Sequence, residues 1–270
     1  MHKKPFWQLP LGVNRGTWDY LTSSHIATEY DNYFTDSGMM KLDLEFILPW
    51  LPKCTESAAG PIIADLGCGT ARVAERFQDL DYRFLNIDLS EHMLSTAQRK
   101  GLDRQRAAWI QANLVELDGL NSCSIDMAVC LFSSLGMIQG RAHRLTFLKH
   151  VVRCLKPGAL FICHVHNRYR SLLDPGGLKW LLSGWWKEKT GTTWEYGDRV
   201  YAYRGLPAMF LHIFSRREIL SDLACAGFEN HQVFPIAATG DALLSKRSLL
   251  VNIRAGGYFV VSRSPVSKNT

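Results

Sequence analysis

The stretch "PIIADLGCGTARVAERF", Pro61–Phe77, decides the fold. A short apolar run breaks into a pair of glycines and then takes on helical spacing. That is the pattern of a buried strand turning into a helix, and such a turn brings backbone amides up to a ligand. A phosphate-cradling loop of the G-x-x-x-x-G-K-[ST] kind requires a lysine that is missing here. A dinucleotide loop requires G-x-G-x-x-G; Gly67 and Gly69 supply its first two glycines, but Arg72 stands at the third. Asp65, just before the loop, would repel a pyrophosphate and suits a ligand with a cationic end. S-adenosylmethionine has one, an ammonium and a sulfonium beside a carboxylate. Amides at the start of the following helix can take that carboxylate, and Asp65 can face the amino group.

Outward from the loop, strand-like and helix-like segments alternate. "YRFLNIDL", "AAWIQANL", "SIDMAVCLF" and "ALFICHVH" read as further strands. "SEHMLSTAQRK", with Ser90 as N-cap, and "RAHRLTFLKHVVRCL" read as helices. Nearly continuous apolar strands separated by helices predict a doubly wound α/β sheet covered on both faces. Asp88 ends the second strand, where a carboxylate can accept from both ribose hydroxyls. Asn113 ends the third, where it can meet the adenine edge between apolar Leu89 and Leu114. The alternative readings for these residues are a plain chain turn at Gly67 and Gly69 and a helix cap at Asp88.

The pattern fails over residues 167–207. This stretch holds Trp180, Trp185, Trp186 and Trp194 and is expected to be an inserted lid over one end of the sheet. It resumes with the helix "FSRREILSDLACAGF" and the strands "ENHQVFPI" and "GYFVVSR". Two N-terminal helices are expected, at roughly 17–34 and 38–51. The expected organisation is an N-terminal helical cap over 1–57 and a cofactor-binding domain over 58–270 that contains the insertion.

"ADLGCGT", "NIDLSEHML", "QANL", "DMAVCLFSSLG" and "RCLKPGALF" together resemble, in order, the motifs of the class I S-adenosylmethionine-dependent methyltransferases. The resemblance covers about residues 30–165 and returns in "FSRREILSDLACAGF". It implies a Rossmann-like seven-stranded sheet of order 3-2-1-4-5-7-6 with its seventh strand antiparallel. It also implies S-adenosyl-L-methionine as cofactor and a cofactor set of Asp65, Gly67, Cys68, Gly69, Asp88, Leu89, Met93, Asn113, Leu114, Leu131 and Phe132. Ala71-Arg72 departs from the glycine-containing pair of many members, which bears on packing more than chemistry.

For catalysis, His164 and His166 are two residues apart on the fifth strand and so share a face at its carboxyl end. His212 follows the insertion and is a third candidate; hydrogen-bonded structural histidines are the competing reading. Asp174 in "DPGG" reads as a turn residue. "TEYDNYF" resembles the family's N-terminal gate, placing Tyr30 and Tyr33 beside the acceptor, with Trp180 and Trp185 on the lid. "FSSLG" resembles members acting on small molecules, so the expected reaction is methyl transfer to an O or N atom of a small-molecule acceptor. RNA is the second acceptor, because Arg168, Arg170, Lys179, Lys187 and Lys189 lie in the insertion. A nicotinamide-dependent reductase and a non-catalytic cofactor-binding protein are readings from other classes. No metal site is expected.

The net charge of +6 forms no block along the chain, so the electrostatic footprint of a nucleic-acid binder is weak. The seven cysteines are odd in number, scattered and without a C-x-x-C pair, which points to reduced thiols in the cytoplasm. No stretch approaches a membrane span, no apolar core follows the first lysines as in a secretory signal, and no membrane partner is expected.

Overall fold

The computed structural model describes residues 5–54, 60–191, 194–245 and 247–266. The expected boundary between residues 57 and 58 lies outside these. The elements in chain order are α1 (Arg15–Leu21), α2 (Ser24–Thr28), α3 (Tyr30–Phe34), α4 (Gly38–Ile47), β1 (Ile62–Leu66), α5 (Arg72–Phe77), β2 (Arg83–Asp88), α6 (Glu91–Gln98), β3 (Ala107–Gln111), β4 (Ile125–Cys130), α7 (Arg141–Cys154) and β5 (Leu155–His166). They continue with α8 (Gly177–Lys189), β6 (Asp198–Tyr203), β7 (Leu206–His212), α9 (Arg216–Ala226), β8 (Glu229–Ile236), α10 (Val251–Arg254) and β9 (Gly257–Arg263).

Seven strands form one sheet in the order β3-β2-β1-β4-β5-β9-β8, and β6 and β7 pair separately. With that hairpin set aside, β8 and β9 are the sixth and seventh strands of the sheet. The five strands from β3 to β5 run parallel, and β9 enters antiparallel to β5 with His164 opposite Phe259. This is the doubly wound class I topology. One apolar cluster, including Phe147, Phe161, Ile219 and Tyr258, fills the α7/α9 side. A second, including Phe46, Phe77, Phe84 and Phe259, fills the other side and draws in α4, whose Phe46 stacks on Phe259 at 4.0 Å. The cap helix α4 is therefore part of the sheet's own core.

Two expectations are corrected. The first N-terminal helix is three short ones, because Thr22 and Ser23 divert the backbone. Thr22 Oγ1 donates back to the Trp18 carbonyl, and Ser23 accepts from the Ile26 amide to start a new helix. The second ends at Ile47 and tightens into a 3-10 turn, Leu48–Trp50, where Pro49 removes an amide donor.

The insertion also extends past residue 207. Tyr203 pairs with Leu206 across Arg204 and Gly205, both at positive φ, and β7 runs on to His212. A two-residue loop with both residues in the left-handed region matches the twist of a hairpin. α1 lies against β7 so closely that a Cβ on Gly16 would sit 1.5 Å from the Ala208 carbonyl oxygen. Helix and hairpin together roof the carboxyl ends of the parallel strands.

Candidate functional site

Beyond the carboxyl ends of β1, β2 and β4 lies a cavity lined by all eleven residues of the expected cofactor set. Its floor is the glycine loop. Gly67 and Cys68 both donate their amides to the Ile87 carbonyl, at 2.8 and 3.0 Å. Gly67 has a φ of +78°, and a Cβ there would lie 2.8 Å from that of Ser134, so both conformation and space demand glycine. The Asp88 carboxylate accepts from the Gly69 amide and from the Ser90 amide, each at 2.8 Å. It thus ties the loop to the start of α6 while keeping lone pairs for further donors. Burial raises the Asp88 carboxyl, against the opposing effect of those amides.

Asp65 differs from Asp88. It is buried, it faces the same cavity, and among the described residues its carboxylate accepts no hydrogen bond. Burial pushes its carboxyl up to about 7, even with the Arg72 guanidinium pulling it down. A buried carboxylate without a donor is costly unless a ligand brings one.

Asn113 lines the cavity with its side-chain amide already committed. Nδ2 donates to the Leu11 carbonyl and to Glu116, and Oδ1 accepts from Val115. The side chain pins the N-terminal segment through Nδ2, while Oδ1, which accepts from Val115, keeps a second lone pair. Leu89, Leu114 and Met93 remain as apolar walls.

The N-terminal helices close the cavity through polar ties that sequence reading missed. Thr70 Oγ1 donates to Asp31 at 2.6 Å, and Ser90 Oγ donates to the Leu21 carbonyl at 2.6 Å. Arg72 is bound to the Met40 carbonyl and, by a short ion pair, to Asp43, while Asp43 also meets His164 Nδ1 at 2.7 Å. These two partners hold the buried Asp43 carboxyl below its ordinary range despite desolvation. Arg72, which breaks the dinucleotide motif, thus anchors α4. The approach of Gly12, Val13, Thr17, Tyr20 and Leu21 to the cavity had no local signal, since it depends on contacts made far along the chain.

A second cavity of about 490 Å³ adjoins the first and shares Tyr20, Phe132 and Met137 with it. Its other walls include Tyr33, Phe34, Tyr201, Tyr203 and Met209, and His166 opens onto it. Burial, reinforced by His164, lowers the His166 imidazole to about 4, so it is neutral near pH 7.

Several expected acceptor-side residues fall elsewhere. His164 lies behind His166, ring centroids 5.6 Å apart, and is held by Asp43; it does not line the aromatic cavity. His212 is wholly buried, its ring nitrogens 2.7 Å from Asp198 and 2.9 Å from Glu218, and lines neither cavity. The expectation that it is catalytic is corrected: the inward face of β7 gives it carboxylates, not a substrate. Tyr30 lines the first cavity rather than the second. Neither Trp180 nor Trp185 lines the aromatic cavity; Trp180 packs under Arg199 and Trp185 faces solvent.

Of the basic residues, Arg168 is buried against Glu218, Arg170 pairs with Asp174, and Lys187 lies over Trp194. Asp174 caps the turn Arg168–Leu173. Glu195, Asp198 and His212 approach as metal ligands do, but Arg144 sits among them, 2.6 Å from Glu195 and 3.5 Å from His212. The guanidinium supplies there the positive charge a metal would bring, and the cluster is an ion-pair network.

Residues 63–158 match the model of a family described as "Methyltransferase domain". A Bacillus subtilis (strain 168) protein named "Putative methyltransferase YqeM" is 32% identical over 108 residues, covering 40% of this chain and 43% of that protein. The chain thus spans less than half the length of the curated relatives it matches. Among solved structures, an S-adenosylmethionine-dependent methyltransferase from Methanosarcina mazei superposes with a TM-score of 0.62 at 19% identity, over 82% of this chain and 98% of that one. A 1,6-didemethyltoxoflavin-N1-methyltransferase from Burkholderia thailandensis superposes with a TM-score of 0.54 at 17% identity, over 96% and 93%. At these identities the structures show the fold. The chain thus contains a methyltransferase domain over residues 63–158 and has the fold of the S-adenosylmethionine-dependent methyltransferases.

Proposed function

We propose that the chain transfers the methyl group of S-adenosylmethionine to an O or N atom of a small, flat or apolar acceptor. One observation carries this reading: the aromatic cavity adjoins the cofactor cavity through Tyr20, Phe132 and Met137. About 490 Å³ falls in the range of small-molecule sites.

In this reading Asp65 faces the cofactor's ammonium, and the free lone pairs of Asp88 accept from the ribose hydroxyls. Leu89, Leu114 and Met93 hold the adenine by apolar contact. Bound S-adenosylmethionine supplies a sulfonium-activated methyl group, so the protein's task is to orient and to exclude water. Tyr20, Phe34, Tyr201 and Tyr203 position the acceptor by ring contact. His166, neutral at working pH, takes the proton from an acceptor that arrives protonated. His164, held by Asp43, fixes the position of His166. The Burkholderia relative was solved with 1,6-didemethyltoxoflavin and S-adenosylhomocysteine bound. We take a small-molecule acceptor here by analogy with that protein, on the strength of the aromatic lining of the second cavity.

The test is transfer of labelled methyl from S-adenosylmethionine into small-molecule, RNA and protein fractions of a lysate. Label is expected in the small-molecule fraction and reduced by Tyr201→Ala. Label confined to RNA or protein overturns the acceptor assignment, and no label in any fraction favours a non-catalytic binder.

A further inference from the structure

The helix α8 buries Gly177, Leu181 and Gly184 on one face and leaves most of its remaining apolar surface in water. Leu178, Leu182, Trp185 and Trp186 are 58, 59, 47 and 65% exposed. At about 100° per residue these four fall within one arc of roughly 100° on the side of the helix away from the core. Leu173, in the turn that leads into the helix, is also exposed. A contiguous Leu/Trp stripe of this kind marks an interaction surface.

We propose that α8 is an interfacial helix that docks the protein on an anionic lipid bilayer. Its charges choose the occupant. The helix carries Lys179, Lys187 and Lys189 against a single acidic residue, Glu188, and Lys179 and Lys189 are exposed. Lys187 is engaged with Trp194. A two-fold contact with a second copy would bring this basic helix against its own like charges. A bilayer with anionic headgroups accepts both features, with Leu side chains entering the acyl boundary, indoles at headgroup level and lysines on phosphate. The 13-residue helix is too short to cross, and no helix among the described residues is long and apolar enough to do so. The association is peripheral. It rests on none of the methyl-transfer reading and fails or stands separately from it.

The experiment is co-sedimentation of the full chain with phosphatidylcholine vesicles, with and without phosphatidylglycerol, alongside tryptophan emission. The wild-type chain is expected to sediment with the phosphatidylglycerol vesicles only, with a blue shift that added salt reduces. Leu182→Ser with Trp186→Ser alters only exposed side chains and is expected to cut the bound fraction roughly tenfold or more, with the melting temperature unchanged. Lys179→Glu with Lys189→Glu is expected to remove the preference for phosphatidylglycerol. Wild-type chain left in the supernatant of both vesicle types overturns the proposal. So does equal sedimentation of the Leu182/Trp186 variant. A concentration-dependent dimer that this variant abolishes, without vesicle binding, assigns the stripe to a second copy instead.

Discussion

The two cavities are built in different ways. The walls of the cofactor cavity come mostly from the carboxyl ends of neighbouring strands, at 65–70, 88–93, 113–114 and 131–138. The aromatic cavity is assembled from residues as far apart as Tyr20, Tyr33, His166, Tyr201 and Thr239. The first holds a buried carboxylate, Asp65, without a donor. Behind the second, the equally buried Asp43 is satisfied by Arg72 and His164. One region is therefore incomplete without a ligand, and the other is braced without one.

The largest effect that tests this contrast is on stability. The folded-state carboxyl of Asp65 is raised from 3.8 to about 7. The folded chain holds this proton more tightly than the unfolded chain, so the associated stability is fully present below about pH 4 and lost as pH rises through 7. The loss amounts to up to about 4 kcal/mol. Asp65→Asn should remove this dependence and make the ligand-free chain more stable at pH 8, as read by thermal melts between pH 4.5 and 8. Melts of wild type and variant that differ by a constant across that range break the contrast.

Asp88→Ala should come next. Charged hydrogen bonds contribute about 1.5–3 kcal/mol each. Loss of the ribose contacts and of the tie from Asp88 to Gly69 and Ser90 should weaken S-adenosylmethionine by about 100-fold or more, measured by calorimetry. Equal affinity in wild type and variant would mean that the ribose lies elsewhere. In the aromatic cavity, Tyr201→Ala or Tyr203→Ala should raise the acceptor KM by about 3–10-fold, the scale of one aromatic contact, and leave cofactor affinity unchanged. A fall in cofactor affinity instead would merge the two cavities into one functional unit.

The smallest effect is expected at Ala71, which is buried with a φ of +58°, a left-handed conformation that favours glycine. Replacing it by glycine relieves left-handed strain of about 1–2 kcal/mol. It also gives up a buried methyl of about 0.8 kcal/mol and adds unfolded-chain entropy of about 0.5–1 kcal/mol. Near-neutral melting is the outcome, and a large shift in either direction would show that the loop is held by something other than this balance.

The same contrast explains what the sequence made legible. Strand ends at β1, β2 and β4 are contiguous in sequence, so the convergence of Asp65, Gly67, Gly69 and Asp88 on one cavity is legible there. Apolar periodicity was enough to mark β8 and β9. The hairpin was missed because its turn is Arg204-Gly205 rather than Asn-Gly or Asp-Gly, and "RVYAYRGLPAMFLH" followed a stretch already read as irregular. The roles of Arg72, Asp43 and Asn113 depend on partners 29 to 121 residues away, which no local pattern carries. His212 failed for the complementary reason: a histidine near a strand end looks the same in sequence whether it faces a substrate or two carboxylates.

The most direct test of the central claim is the affinity of the full chain for S-adenosylmethionine at pH 8 and pH 5.5, measured by calorimetry in buffers of different ionisation enthalpy. If the cofactor's ammonium meets Asp65, binding at pH 5.5 takes up the cost of removing its proton. Affinity should then fall by roughly tenfold per pH unit below 7 with a proton released on binding, and Asp65→Asn should abolish both effects. Binding of equal strength at the two pH values with no proton release would contradict the account.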